Sequence, residues 1–208
     1  MNAEDLDSNV LEQAIRSRRS VRGLVGPPLT AAELESLVAL ALTAPAPHHT
    51  QPWRFAEVLP PRRAALASAM GDAWRADIEG DGVPEATIER LLARSRGQIE
   101  GAPTLLLGCL VADGLNAYED DRRARAEWSL ATHSFGAALQ NILLTASARG
   151  LGAYWISSPV YAQPEVRGAL DLDQSWQPQA FVALGRPDTE YTPFERPTPD
   201  LGVHFVRR

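Results

Sequence analysis

Hydrophobic residues recur at helical spacing twice in the first quarter of the chain. Between Val10 and Ser17 the apolar positions fall on one helical face, namely Val10, Leu11, Ala14 and Ile15. Thr30 and Glu33 have the spacing of a capping box, which marks a helix start, and apolar residues at helical spacing follow them. The pattern predicts two amphipathic helices here, the first of which leads directly into a cluster of arginines.

Strand and helix patterns alternate along the rest of the chain. The predicted strands are Trp53–Leu59, Leu105–Val111, Tyr154–Ser157 and Gln179–Leu184. The predicted helices are Arg62–Trp74, Thr87–Ile99, Ala126–Arg149 and Glu165–Leu170. This alternation favours an α+β or α/β class with one mixed central sheet flanked by helices. Since no linker or shift in composition divides the sequence, we expect a single domain over residues 1–208.

Charge and cysteine content narrow the classes of function. The net charge of −6 disfavours nucleic acid as a partner. No apolar run is long enough to span a membrane, and the acidic N-terminus is unlike a signal peptide, so we expect a cytoplasmic protein with no membrane partner. The single cysteine, Cys109, excludes an internal disulfide, and its apolar neighbours predict a buried, inert thiol.

Two polar segments are candidates for chemistry. Arg18, Arg19, Ser20 and Arg22 place three guanidinium groups and a hydroxyl at a helix end, where they can bind a phosphate; the alternative is a solvated basic patch. The second segment, residues 47–53, carries His48, His49, Thr50 and Gln51 between prolines. We do not assign a metal to the histidines, because neighbouring residues rarely converge on one ion and no third ligand follows at a suitable spacing.

Other catalytic motifs are missing from the sequence. It has no G-x-S-x-G elbow of the kind that serine hydrolases carry. It also lacks both the G-x-G-x-x-G motif of dinucleotide-binding domains and the phosphate-binding loop of nucleotide kinases. The two polar segments therefore carry the functional assignment.

Taken in order, several motifs resemble those of the nitroreductase family. They are Arg18-Arg19-Ser20-x-Arg22, a proline-rich loop ending in Gln51-Pro52-Trp53, Gly150-Leu151-Gly152-Ala153-Tyr154-Trp155-Ile156, Gly185-Arg186-Pro187 and Arg196-Pro197. The resemblance covers nearly the whole chain. It implies the α+β nitroreductase-like fold and a homodimer in which FMN-binding sites are shared between two subunits.

Further segments resemble one branch of that family. Residues 44–50, residues 112–123 and Trp155-Ile156-Ser157-Ser158 are similar to the flavin domain at the C-terminal end of the bifunctional F420 gamma-glutamyl ligases. That domain reduces dehydro-F420-0, an acrylate-like precursor, to F420-0. The resemblance implies a stand-alone version of this FMN-dependent reductase, with dehydro-F420-0 or another F420-type deazaflavin as its small-molecule substrate.

The resemblance also implies roles for individual residues. It assigns Arg18, Ser20, Arg22 and Arg196, with Arg19 beside them, to the FMN phosphate and ribityl chain. His49, where many relatives have an asparagine, and Thr50 face the flavin ring, and the backbone at Ser157 and Ser158 faces flavin N5. Trp155 packs on the ring or is an ordinary core aromatic. Gln140 lies on the long helix that forms much of the dimer interface.

The expected reaction is a hydride transfer from reduced FMN to the double bond of the substrate. The catalytic candidates are His48 and His49, which would contribute to a pocket for the developing negative charge or supply the proton. Arg54, Arg75 and Arg94 either meet a substrate phosphate or form a solvated face. A general NAD(P)H-dependent nitroreductase or quinone reductase, and a non-catalytic flavin or F420 binding module, are the competing interpretations.

Overall fold

The computed structural model describes residues 8–208. The acidic N-terminus, on which the expectation of a cytoplasmic protein partly rests, lies mostly outside the described residues. The helices are α1 (Ser8–Ser17), α2 (Ala31–Ala41), α3 (Pro60–Gly80), α4 (Glu85–Glu100), α5 (Asp121–Ala148), α6 (Gln163–Leu170) and α7 (Leu201–His204). The strands are β1 (Leu24–Val25), β2 (Trp53–Glu57), β3 (Thr104–Leu110), β4 (Gly152–Ile156) and β5 (Gln177–Pro187). Two 3-10 turns cover Pro47–His49 and Ser158–Tyr161.

Strand β5 is the centre of the sheet. One of its edges pairs with β3, which pairs in turn with β2. Along its other edge, residues 181–185 pair with β4, and Arg186 and Pro187 pair with β1. All four of these pairings among the described residues are antiparallel.

This pattern corrects the expectation of a mixed sheet in one respect. Helix α5 connects β3 to β4, and these two strands do run in the same direction, since both are antiparallel to β5. They are not neighbours, however, because β5 comes last in the chain and inserts between them. The alternation of strands and helices was correct, but alternation alone does not say which strands share hydrogen bonds.

Two hydrophobic clusters cover the two faces of the sheet. One cluster joins α2 and α5 to the sheet through Leu37, Phe135, Leu139, Ile142 and Val182. The other joins α3, α4 and α6 to the opposite face through Leu66, Ile99, Val166, Leu107 and Phe181. Covering on both faces explains why β3 is buried at all seven positions, as its apolar sequence predicted.

Local signals fix several helix ends. Thr30 and Glu33 form the predicted capping box at the start of α2. Helix α5 begins five residues before the predicted Ala126, because the Asp120 side chain accepts the backbone N–H of Arg123 and caps the helix. Helix α3 begins at Pro60 and Pro61, which suit a first helical turn since their missing N–H groups would have no partner there.

Arginine side chains join α3 and α4 at both ends of the hairpin that they form. Near the turn, Arg75 forms ion pairs with Glu79 of its own helix and with Glu85 and Glu89 of α4. At the opposite end the buried Arg63 donates to the backbone carbonyls of Val58, which precedes α3, and of Ala102 and Pro103, which follow α4. The hairpin is therefore held together at its turn and at its base.

Helix α5 lies unusually close to β3 at Gly108. A Cβ atom at this position would lie 2.7 Å from two atoms of the Phe135 ring. We expect Gly108→Ala to lower the free energy of unfolding by about 1–3 kcal/mol, the usual cost of overpacking a core. Urea denaturation of the variant and the parent measures this difference.

Gly168→Ala is the matched control. Its Cβ would enter open space on α6. Because alanine favours a helix by up to about 1 kcal/mol relative to glycine, this variant should be as stable as the parent or slightly more stable. Equal denaturation midpoints for the Gly108 variant and the parent would contradict the close packing of α5 on β3.

Cys109 is a buried thiol of the kind that the sequence predicts. It is fully buried in β3, and burial raises the pKa of the thiol to about 12. Since the thiolate is the reactive form, a raised pKa keeps the thiol unreactive until strongly alkaline pH. We expect a thiol reagent at mildly alkaline pH to label the native protein only after denaturant is added; rapid labelling without denaturant would show that β3 opens.

Candidate functional site

The arginine segment lies along the outer edge of β4. The backbone N–H of Val21 donates to the carbonyl of Ala153 over 3.1 Å. A Cβ on Gly152 would collide with the side chains of Leu24 and Val21, so glycine permits this close approach. The edge contact brings the segment 18–22 beside the end of β4.

Four arginines meet near this edge. Arg18, Arg19, Ser20, Arg22 and Arg196, with Phe194, line a cavity of about 290 Å³. Arg196 is distant in sequence, and its guanidinium donates to the backbone carbonyl of Arg18 over 2.6 Å. The sequence-predicted cluster and the predicted C-terminal arginine are therefore neighbours.

This cluster has an excess of positive charge. None of the ion pairs among residues 8–208 involves Arg18, Arg19, Arg22 or Arg196. Burial, together with the charges of Arg196 and Arg19, lowers the pKa of Arg18. Cations that repel one another without a carboxylate nearby form a site for an anion.

The arginines of the cluster have different local roles. Arg19 donates to the carbonyls of Arg16 and Arg18, so it caps the C-terminal end of α1 and is partly engaged. Arg22 extends over the ring of Tyr154, with its Cζ atom 5.7 Å from the ring centroid. Arg22 also lines the neighbouring large cavity, so it joins the two spaces.

The larger cavity has a volume of about 530 Å³ and lies between the end of β4 and the α3–α4 hairpin. Its wall on the β4 side contains Trp155, Ser157 and Ser158, three of the sequence-predicted residues. Trp155 is 39% exposed, which favours a surface available to a ligand over a core position. The volume is in the range of sites for drug-sized ligands.

Ser158 supplies a further polar contact. Its Oγ atom is buried and has no hydrogen-bond partner among the described residues. A buried hydroxyl without a hydrogen-bond partner destabilises the folded protein. A polar ligand in the cavity would supply the missing hydrogen bond. Together with the unpaired arginines, this hydroxyl suits a ligand that has both an anionic group and a polar ring.

The hairpin forms the opposite wall, and except for Arg94 its residues were not singled out by the sequence alone. They are Met70, Trp74, Asp77 and Ile78 with Asp81 from α3 and the turn, and Leu91, Arg94, Ser95 and Gln98 from α4. Of the three arginines proposed as substrate contacts, Arg94 lines the cavity. Arg54 is paired with Asp113, and Arg75 with its three glutamates.

The histidine segment lies elsewhere in the subunit. His48, His49 and Thr50 line neither cavity, and Gln140 lies half-buried on α5, also outside both. The φ angles of His48, His49 and Gln51 are 53°, 57° and 49°, in the left-handed region that non-glycine residues rarely adopt. Residues with strained backbone angles are found preferentially at ligand sites, so the turn remains a functional candidate.

The described residues contain neither a membrane-spanning helix nor a cluster of metal ligands. Within residues 8–208, no helix has the length and apolar character needed to cross a membrane. Over the same residues, no three His, Cys, Asp or Glu side chains come together as a metal site requires.

Comparisons with known proteins show the family to which this chain is similar. The model of the nitroreductase family matches residues 15–186. Over 181 residues the chain is 29% identical to a protein of Bacillus subtilis named as an NAD(P)H nitroreductase, with 86% of each covered. It is 30% identical over 202 residues to 5,6-dimethylbenzimidazole synthase of Rhodospirillum rubrum, covering 92% of this chain and 86% of the relative.

A solved structure shows the same fold. The FMN- and NADPH-dependent nitroreductase of Sphigopyxis sp. strain HMH superposes with a TM-score of 0.69, at 20% identity, covering 95% of this chain and 98% of that one. The predicted fold and the predicted class of flavin-dependent oxidoreductase are thus confirmed at the level of the family. Because the family model covers most of its length, this chain belongs to the nitroreductase family.

Proposed function

We propose that this chain binds FMN and reduces a small organic acceptor, and that the acceptor is dehydro-F420-0, whose acrylate-type double bond is reduced to give F420-0. One observation carries the flavin assignment, namely the continuity at Arg22 between a cluster of arginines without carboxylate partners and a cavity lined by Trp155 and Ser158. A flavin mononucleotide has a matching shape, with a phosphate at one end and a polar aromatic ring at the other.

The arginine cavity would hold the phosphate end. Arg18 and Arg196 supply guanidinium donors, and Ser20 adds a hydroxyl on the same wall. Arg19 contributes charge and the donors of Nε and Nη2, because only its Nη1 atom bonds the end of α1. Arg22 reaches from this cluster toward the ribityl chain and the ring.

The end of β4 would hold the ring. The backbone at Ser157 and Ser158 borders the cavity at the point where β4 ends, and the Ser158 hydroxyl is available to accept or donate a hydrogen bond there. Trp155 offers an aromatic face on the same wall. When bound, FMN supplies the hydride chemistry that the side chains of this chain cannot supply.

The protein itself would orient the acceptor and stabilise charge. Arg22 and Arg94 both line the large cavity, and Arg94 forms no ion pair among residues 8–208. Two cations of this kind suit an acceptor with a carboxylate or a phosphate, which dehydro-F420-0 carries. The wall of the hairpin, with Trp74 and Leu91, would exclude water from the acceptor.

A second copy of the chain would complete the site. Large apolar side chains are exposed on α1 and on the C-terminal segment, including Val10, Leu11, Ile15, Phe194, Leu201, Val203 and Phe205. Exposed apolar surface of this extent is typical of a protein interface. In a homodimer with shared sites, His48, His49 and Thr50 of one subunit would face the flavin bound by the other, and Gln140 would lie at the interface on α5.

A general NAD(P)H-dependent nitroreductase or quinone reductase is the second candidate. The part of the hairpin wall formed by α3 and the following turn favours it. There Trp74, Asp77 and Asp81 present an aromatic ring and two carboxylates to the cavity. Such a wall suits neutral aromatic acceptors better than anionic ones. The relative from Bacillus subtilis carries the name of this activity.

An anaerobic half-reaction distinguishes the candidates. The FMN-loaded protein is reduced with dithionite, mixed with dehydro-F420-0, and followed by flavin absorbance and by product mass. We expect rapid reoxidation of the flavin with a gain of two hydrogens by the acceptor. Reoxidation by nitroarenes or quinones alone would support the general reductase, and a flavin that stays reduced with every acceptor would indicate a binding module.

Arg18→Gln tests the phosphate end of the site. Charge-assisted hydrogen bonds contribute about 1.5–3 kcal/mol, so the Kd for FMN should rise roughly tenfold to a hundredfold. Affinity for riboflavin, which lacks the phosphate, should change little. Both constants are measured by quenching of flavin fluorescence during titration.

Arg62→Gln is the control for this test. Arg62 forms an exposed ion pair with Asp171 away from both cavities, so its loss should leave both affinities unchanged. An equal loss of FMN and riboflavin affinity in the Arg18 variant would place the phosphate elsewhere.

A further inference from the structure

A buried carboxylate lies behind the strained histidine turn. Glu127, on α5, has a side chain only 7% exposed and belongs to none of the groups assigned above. Its Oε1 atom accepts the backbone N–H of Asn116 over 3.1 Å and lies 3.4 Å from Asn116 Nδ2. The same Nδ2 atom is 3.0 Å from Nε2 of His48. The Asn116 amide therefore connects a buried carboxylate with a histidine ring.

The carboxylate determines which way this amide faces. An ionised carboxylate only accepts hydrogen bonds, so the part of the Asn116 amide directed at Glu127 must be the NH₂ group. That NH₂ group has two hydrogens, and its second hydrogen faces His48 Nε2. A ring nitrogen that meets a donor must be an acceptor, and in a neutral imidazole the proton then lies on the other nitrogen.

We propose that Glu127, acting through Asn116, is a positioning residue that holds neutral His48 in the tautomer with its proton on Nδ1. Among residues 8–208, no protein atom bonds Nδ1, and the His48 side chain is 58% exposed. The N–H of Nδ1 is therefore available to a ligand. An unconstrained imidazole in water favours the opposite tautomer, with the proton on Nε2.

Few other charges act on this ring. Glu127 is the carboxylate within ion-pair distance of His48 among the described residues, at 3.7 Å from Nε2. His49 is the neighbouring residue in the same turn. Asp113, on the loop that carries Asn116, is paired with Arg54. The arrangement around Nε2 is thus set mainly by Asn116 and Glu127.

The tautomer defines what the histidine offers to an acceptor, and this step rests on the proposed function and its shared site. The Nδ1–H group would donate a hydrogen bond to an oxygen of the acceptor, such as a carboxylate, carbonyl or nitro oxygen, where negative charge develops. No proton leaves the ring in this role, since a neutral imidazole is a very weak acid. The proton that completes the reduction comes from water.

The tautomer can be read directly by NMR. Protein with ¹⁵N-labelled histidine is studied under alkaline conditions, and the ring signals of His48 are assigned with His48→Gln. We expect Nε2 of His48 to give the shift of an unprotonated nitrogen in the parent protein. In Glu127→Gln and in Asn116→Ala, the Nε2 signal should move toward that of a protonated nitrogen.

Asn116→Ala guards against a loss of folding, and Glu190→Gln is a negative control. Asn116→Ala changes a loop residue and leaves the buried carboxylate in place, so it tests the same contact without altering α5. Glu190→Gln, at an exposed position far along the chain, should leave the tautomer unchanged. A parent protein with its proton on Nε2, or variants that keep the proton on Nδ1, would overturn the proposal.

Kinetics connects the tautomer with catalysis. Loss of one donor aimed at a developing charge costs about 10²–10³ in kcat, and loss of its orientation should cost less, roughly tenfold. We expect Glu127→Gln to lower kcat for acceptor reduction by this factor while KM and the Kd for FMN stay the same. The NMR result does not require FMN, so a missing reductase activity would overturn the proposed function and leave the tautomer assignment standing.

Discussion

Hydrogen bonding along both edges of β5 is the constraint on which the rest of the structure depends. Because β3 occupies one edge, β4 and β1 must share the other, one after the other along the same strand. This arrangement leaves the outer edge of β4 free for the arginine segment, which joins it through Val21 and Ala153. The chemistry at the end of β4 is therefore a consequence of sheet order.

The site concentrates positive charge in a protein that is acidic overall. With a net charge of −6, the chain has more carboxylates than cations, yet none of them pairs with the arginine cluster in the described residues. Repulsion among these arginines opposes folding, and an anion bound among them reduces it. A bound anion should consequently stabilise the fold in proportion to the logarithm of its concentration.

Much of the fold followed from local patterns in the sequence. Alternation, helical periodicity and the capping box at Thr30 predicted the long helices and four of the strands. The two-residue strand β1 and the insertion of β5 between β3 and β4 depend on contacts far apart in sequence, which a local pattern does not contain.

The candidate site was predictable only where its residues lie in local sequence motifs. The arginines and the β4 serines were identified by their motifs, and the structure brings them together. The burial of Glu127 was not predictable, because a glutamate that follows three arginines on a long helix is usually solvated. Nor could the sequence show that the histidine turn lies away from the cavity of its own subunit.

The α3–α4 hairpin is tied at its turn by Arg75 and at its base by Arg63. Contacts at both ends oppose sliding or separation of the two helices and so help to maintain the wall that they give the cavity. The range of acceptors would then be set by side-chain volume on this wall. Efforts to re-engineer the enzyme for bulkier acceptors should accordingly begin with Trp74 and Leu91 and leave the hairpin turn unchanged.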